Sequence, residues 1–204
     1  MARSADQQCF VSTFAAMADT ADETRSQPGV QLGWALLLAA WVAVGLGVYG
    51  RLHTPAGRPL FDLGFSSMLP MKAWLTTVAT ALLAVQLVTA LWMWRRLPRA
   101  GKAPRWVAGL HRWSGTAAFV TTLPVAFHCL WSLGFTTSSP RVAAHGFFGC
   151  FFYGAYAAKM LALRLRGLPG WALPVLGGTV LGSLVMLWLT AALWFFTRSG
   201  IPLT

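Results

Sequence analysis

The stretch GLHRWSGTAAFVTTLPVAFHCLW (residues 109–131) is mostly apolar, yet it carries His111 and Arg112 at one end and His128 at the other. As a helix it is about long enough to cross the roughly 30 Å hydrocarbon core of a bilayer. An ionisable residue inside such a segment is costly and is a functional candidate unless it sits at a wet end. Whether these imidazoles are ligands or interfacial residues depends on the rest of the chain.

Composition sets the class. The chain has 204 residues, of which 56% are hydrophobic and only 10% charged. A soluble domain carries about 25% charged residues, so the balance is that of a membrane protein. Lys and Arg number 16 against five acids, for a net charge of +11. Four of the acids, Asp6, Asp19, Asp22 and Glu23, precede residue 30; the fifth is Asp62, and none follows it. Asp and Glu are the usual intramembrane carriers of protons and cations, so the sequence disfavours a carboxylate-driven pump or transporter. The basic residues flank apolar runs, where orientation and anionic lipid account for them and nucleic acid need not be invoked.

Five apolar runs are long enough to span: about 31–50, 72–95, 106–133, 143–164 and 171–197. Pro- and Gly-marked links separate the last four: RLPRAGKAPR (96–105), TTSSPR (136–141) and RGLPG (166–170). The expected fold is all-α and polytopic, a four-helix bundle plus an accessory helix spanning about 30–200, preceded by a mobile cytoplasmic tail over 1–29. Within that tail Met17 begins a plausible start, so residues 1–16 need not be translated. The fifth run has no histidine and reads as the accessory helix. Its Gly178 and Gly182, like the Gly146, Cys150, Gly154 and Ala158 stripe of the fourth, have the spacing that lets helices approach closely.

Orientation follows from the basic links. Arg95, Arg96, Arg99, Lys102 and Arg105 crowd the link after the second run, and Arg164 and Arg166 follow the fourth. Short loops rich in Lys and Arg stay cytoplasmic, which outweighs Arg51, Arg58 and Lys72 on the other side. The expectation is a multi-pass protein of the bacterial inner membrane with its N-terminus inside. Residues 1–29 lack the apolar core of a signal peptide, so the first run should be an uncleaved anchor.

In that topology His128 nears the outer end of the third run and His145 opens the fourth, so two imidazoles arrive at similar depth on neighbouring antiparallel helices. Opposed imidazole nitrogens are what an axially ligated haem requires. His53, just past the first run, is the substitute ligand, although the following TPAG suggests a solvent-facing loop residue. His111 lies seventeen residues before His128 (128 − 111), about 25 Å along a helix, so the two cannot share a metal. A second haem, one per leaflet, remains compatible with that spacing. It would need an inner partner such as Met160, beside Lys159, and Arg112 or the basic link could neutralise propionates. Otherwise His111 is an interfacial residue among Trp106 and Trp113.

The three cysteines form no CxxC or CxxCH, which disfavours iron–sulfur, zinc-ribbon and c-type haem sites. Cys129 and Cys150 reach similar depth, so a disulfide is geometrically conceivable. A hydrolase built on Ser114 or Ser132 would lack its acid.

The motif LHRWSGTAAFVTTLPVAFH resembles the His-Arg/Lys-Trp-x-Gly helix of membrane b-type cytochromes in the cytochrome b561 and ferric-reductase-like group. LFDLGFSSMLPMKAWL (60–75), ALWMWRRLP (90–98) and HGFFGCFFYGAYAAKMLALR (145–164) are also similar to a bacterial family of small multi-pass membrane proteins. The cytochrome resemblance implies haem b, with His111 and His128 matching the motif histidines and His145 a ligand on the following helix. It implies one-electron transfer between a quinol or membrane dehydrogenase and an extracytoplasmic acceptor. The partners would then be the lipid bilayer, a quinone, and a membrane or extracytoplasmic redox protein. The competing readings are a cofactor-free accessory or assembly subunit, and a histidine-based copper or proton site.

Overall fold

A computed structural model describes residues 28–201; the proposed tail and alternative start lie almost wholly outside them. The described residues form five helical rods and no strand. We label them α1 (Pro28–Leu52), α2 (Met68–Met93), α3 (Arg105–Phe127), α4 (Pro140–Ala162) and α5 (Ala172–Leu187). A π-helical turn, His128–Leu133, prolongs α3, and another, Trp188–Leu193, joins α5 to a last short helix, α6 (Trp194–Ser199). Four rods are long and apolar enough to cross a membrane; α4 has the length, 23 residues, but is less apolar. Its sequence shows why: His145, Tyr153, Tyr156 and Lys159 interrupt it, and its flanks are covered by α1 and α5 rather than by lipid. The chain is a helical membrane protein whose apolar faces meet the bilayer.

Helix ends follow local chemistry. Pro140 opens α4 where a missing N–H costs nothing, and the Ser139 side chain caps it by accepting from the Val142 N–H at 3.3 Å. The π-helical turn of α3 follows Pro124, which lacks the N–H that an α-helix would use there. In the second π-helical turn the Thr190 hydroxyl donates back to the Met186 carbonyl at 2.7 Å, competing with the backbone ladder.

The rods alternate up and down. Thr89 of α2 meets His111 near the start of α3, Ala39 of α1 meets Gly154 of α4 while Gly47 meets Cys150, and His145 of α4 meets Thr190 while Gly149 meets Leu187. Their packing order is α3–α2–α5–α4–α1, an open ring in which α3 and α4 have little direct backbone contact. Large side chains fill that gap: Phe119 stacks on Tyr156 at 4.0 Å, and the Tyr153 hydroxyl donates to the Thr122 carbonyl at 3.0 Å. Where α1 ends, the ring closes on α3. Ala56 N–H donates to Trp131 O, Gly57 N–H to Ser132 O and Phe135 N–H to Gly50 O.

One expectation changes here. The core cluster is built from Ala79 and Leu83 of α2, Phe152 and Ala155 of α4, and Val180, Leu184 and Leu187 of α5. The fifth rod is therefore central, and the peripheral helix is α1, which packs mainly on α4 and exposes Trp34 and Trp41. Hydropathy could not distinguish them, because lipid and protein interior are equally apolar.

Candidate functional site

All the histidines except His111 gather at one end of the ring, as the antiparallel reading expects, but they do not converge on one point. His145 lines a cavity of about 330 Å³ between α3 and α4, whose wall includes Lys72, Thr122, Cys129, Gly146, Cys150 and Tyr153. His128, one residue from Cys129, does not line it. The His128 ring lies against Phe61 of the α1–α2 loop, edge to face at 4.5 Å, and is completely buried. The expected opposition of His128 and His145 is thus not what the helices present. The reason is angular: neighbouring helical residues point in different directions, and in the π-helical turn that follows Pro124 it is Cys129 that faces the cavity.

Each imidazole has a definite hydrogen-bond environment. His128 Nδ1 lies 2.8 Å from the Pro124 carbonyl, which can only accept, so Nδ1 carries the proton and Nε2 keeps its lone pair. That Nε2 is buried with no partner, and so is His53 Nε2. His53 is not the solvent-facing residue its sequence context suggests: its ring stacks on Tyr49 at 5.0 Å, and the segment following it is tied to the π-helical turn that carries His128. Among the described residues the third buried polar side-chain atom without a partner, Ser132 Oγ, belongs to that same turn. All three therefore lie at the junction where the ring closes.

His145 has neighbours at both nitrogens. Nδ1 is 3.1 Å from Thr190 Oγ and Nε2 is 4.0 Å from Cys129 Sγ. Lys72 lies close enough to act on the same sulfur. Cys129 and Cys150 are both free, so the conceivable disulfide is not formed. Arg141, one turn before His145, donates to the Thr190 carbonyl at 2.6 Å and stacks over Trp194 at 3.9 Å.

At the far end His111 is held between helices rather than poised for a ligand. Its Nδ1 meets Thr89 Oγ at 2.8 Å, and the Gln86 amide donates to the His111 carbonyl and to Ser114 Oγ. Lys159 is the α4 residue whose charge reaches it, while Met160 turns outward and is exposed. Arg112 is exposed beside Trp113, at the end of α3 away from His128. An inner Met160 ligand would therefore need α4 to rotate.

Sequence reading missed Lys72, Cys129 as the neighbour of His145, Thr190 and Gln86. The legible signal was a polar side chain inside an apolar helix, which Gln86 and Thr190 both provide; the pairing with His145 had none. Among the described residues no group of three or more His, Cys, Asp or Glu is arranged to hold a metal ion. Neither the curated proteins nor the solved structures yield a match. A family model does: the family of unknown function DUF6529 matches residues 32–203, nearly the whole five-rod bundle, and the chain belongs to that family.

Proposed function

We propose that this protein is a membrane electron carrier built around haem b, which His128 and His53 at the histidine-rich end would hold. The observation that carries the reading is the pair of buried, unpartnered Nε2 atoms at one junction. A polar nitrogen without a partner in a dry interior costs about 1–3 kcal/mol, a cost that a metal bond would remove. The donor chemistry fits such a group. His128 donates its other ring nitrogen to a backbone carbonyl, the arrangement that fixes tautomer and orientation in metal-ligating histidines. His145 and His111, with neighbours at their ring nitrogens, fit less well.

When bound, haem b would supply a one-electron couple; the protein's part is ligation, burial and insulation. Pro124 O holds the His128 ring in place, and Phe61 and Phe127 flank it and keep water away. Electrons would pass between a quinol or membrane dehydrogenase and an acceptor outside the bacterial inner membrane. The basic link Arg95–Arg105 then lies in the cytoplasm and the histidine-rich end faces outward.

Absorption spectroscopy of protein purified from haem-replete cells tests this. A Soret band and a reduced α band are expected. His128→Ala and His53→Ala should each abolish the low-spin spectrum, whereas His111→Ala and His145→Ala should leave it. Colourless wild-type protein overturns the proposal and favours a cofactor-free subunit.

A further inference from the structure

The two π-helical turns, a rare geometry that recurs at functional sites, converge on one side chain. Cys129 comes from the first turn, Thr190 from the second, and His145 stands between them. The hydrogen bonds fix how His145 is used. Thr190 spends its single hydrogen on the Met186 carbonyl at 2.7 Å, so toward His145 its oxygen can only accept. His145 Nδ1 therefore carries the proton, and Nε2 presents a lone pair toward the Cys129 sulfur. The Nε2–Sγ separation of 4.0 Å is at the outer limit of a sulfur hydrogen bond.

We propose that Cys129 and His145 form a two-coordinate site for a soft monovalent cation, Cu(I), separate from the histidine pair above and independent of it. Metal–sulfur and metal–imidazole bonds of about 2.3 and 2.0 Å add to about 4.3 Å in a line, so the ion fits once the two side chains move apart by about 0.3 Å. Thiolate with imidazole is a ligand set that favours Cu(I) or zinc. Zinc needs four ligands, and no group of even three is assembled among the described residues. Charge decides the same way. Cu(I) on one thiolate is neutral beside Lys72, whereas a divalent ion would add a net charge to a cavity that no carboxylate lines. On binding, the S–H bond breaks, the S–Cu and Cu–N bonds form, and the proton leaves for water without change of oxidation state. The cavity wall runs to Phe135, Thr136 and Ser138 of the α3–α4 link, which gives the ion a path from the aqueous end.

The test is anaerobic titration of detergent-purified protein with Cu(I) against a chromogenic Cu(I) chelator. One Cu(I) per chain is expected, with one sulfur and one nitrogen neighbour by X-ray absorption. Cys129→Ser and His145→Ala should abolish binding, and Cys150→Ser should retain it. Thr190→Val, which removes the acceptor positioning His145, should weaken it roughly 10-fold, as outer-shell changes do. A measurement on the unaltered chain guards against misfolding of variants: Cu(I) should protect Cys129, but not Cys150, from maleimide. No retained copper, binding unaffected by Cys129→Ser, or unprotected Cys129 overturns the site. Because haem is read by its Soret band, failure of either proposal leaves the other standing.

Discussion

His111 shows how a titratable residue is accommodated in this bundle without a ligand. The Thr89 hydroxyl donates to the Val85 carbonyl at 2.7 Å, so it accepts from His111 Nδ1, and the imidazole ties α3 to α2. Gln86 completes the tie through the His111 carbonyl and Ser114 Oγ. The network has no spare room, because a Cβ on Gly115 would fall 2.9 Å from Gln86 Oε1. Gln86→Ala should therefore destabilise the bundle by about 0.6–2 kcal/mol, the range for interhelical hydrogen bonds and lost buried partners. Gly115→Ala should act through the same contact by displacing the amide. Combined, the two should cost clearly less than their sum, since Gln86→Ala removes the obstruction that the added methyl meets. Equilibrium unfolding in mixed micelles measures the cycle; strict additivity would show that Gly115 and Gln86 act separately.

At the scale of elements, small residues decide which helices touch. A Cβ on Gly154 would lie 2.8 Å from the Ala39 carbonyl and 2.9 Å from Ala43 Cβ, so α1 and α4 meet backbone to backbone there. Gly178 and Gly182, with the same spacing on α5, have nothing within 4 Å. Gly154→Leu should push α1 off α4 and destabilise by about 1–3 kcal/mol. Gly178→Leu should stay within about 0.5 kcal/mol. Thermal unfolding, with a cysteine crosslink between α1 and α4 as reporter of their contact, separates the outcomes. The contrast also marks what sequence could carry. Rod lengths, links, the up-down path and the gathering of His53, His128 and His145 at one end all follow from hydropathy and short loops. Which small-residue stripe has a partner does not, because in lipid an unpartnered face and a packed face are equally apolar. The rotation that turns Cys129 rather than His128 into the cavity depends on the π-helical turn after Pro124, a register change with no simple signature in hydrophobic period.

For the whole molecule, loop charge bears on which way the ring stands in the membrane. Seven basic residues flank α2–α3 and α4–α5 at one end: Arg95, Arg96, Arg99, Lys102, Arg105, Arg164 and Arg166. The opposite end has Arg51, Arg58, Lys72, Arg141 and Arg198, which taken as a bare count nearly balances them. We propose that the loop charges break the tie. Lys72 lines the cavity, and Arg141 is half-buried and held by the Thr190 carbonyl and the Trp194 ring, so neither is a free loop charge. Only loop charges free to meet the cytoplasmic leaflet vote on topology, and each is worth about 1 kcal/mol near an anionic surface. A reporter active only outside the cytoplasm should therefore give signal when fused after Thr204 and none when placed in the 96–104 link. Neutralising Arg95, Arg96, Arg99 and Lys102 together removes about 4 kcal/mol of that preference. Arg105, Arg164 and Arg166 would then face Arg51, Arg58 and Arg198 on nearly equal terms, and the chain should insert in both orientations, each detectable by cysteine labelling from the two sides. A single orientation in the neutralised protein would mean that the α1–α4 and α2–α3 pairings, rather than loop charge, set the direction of insertion.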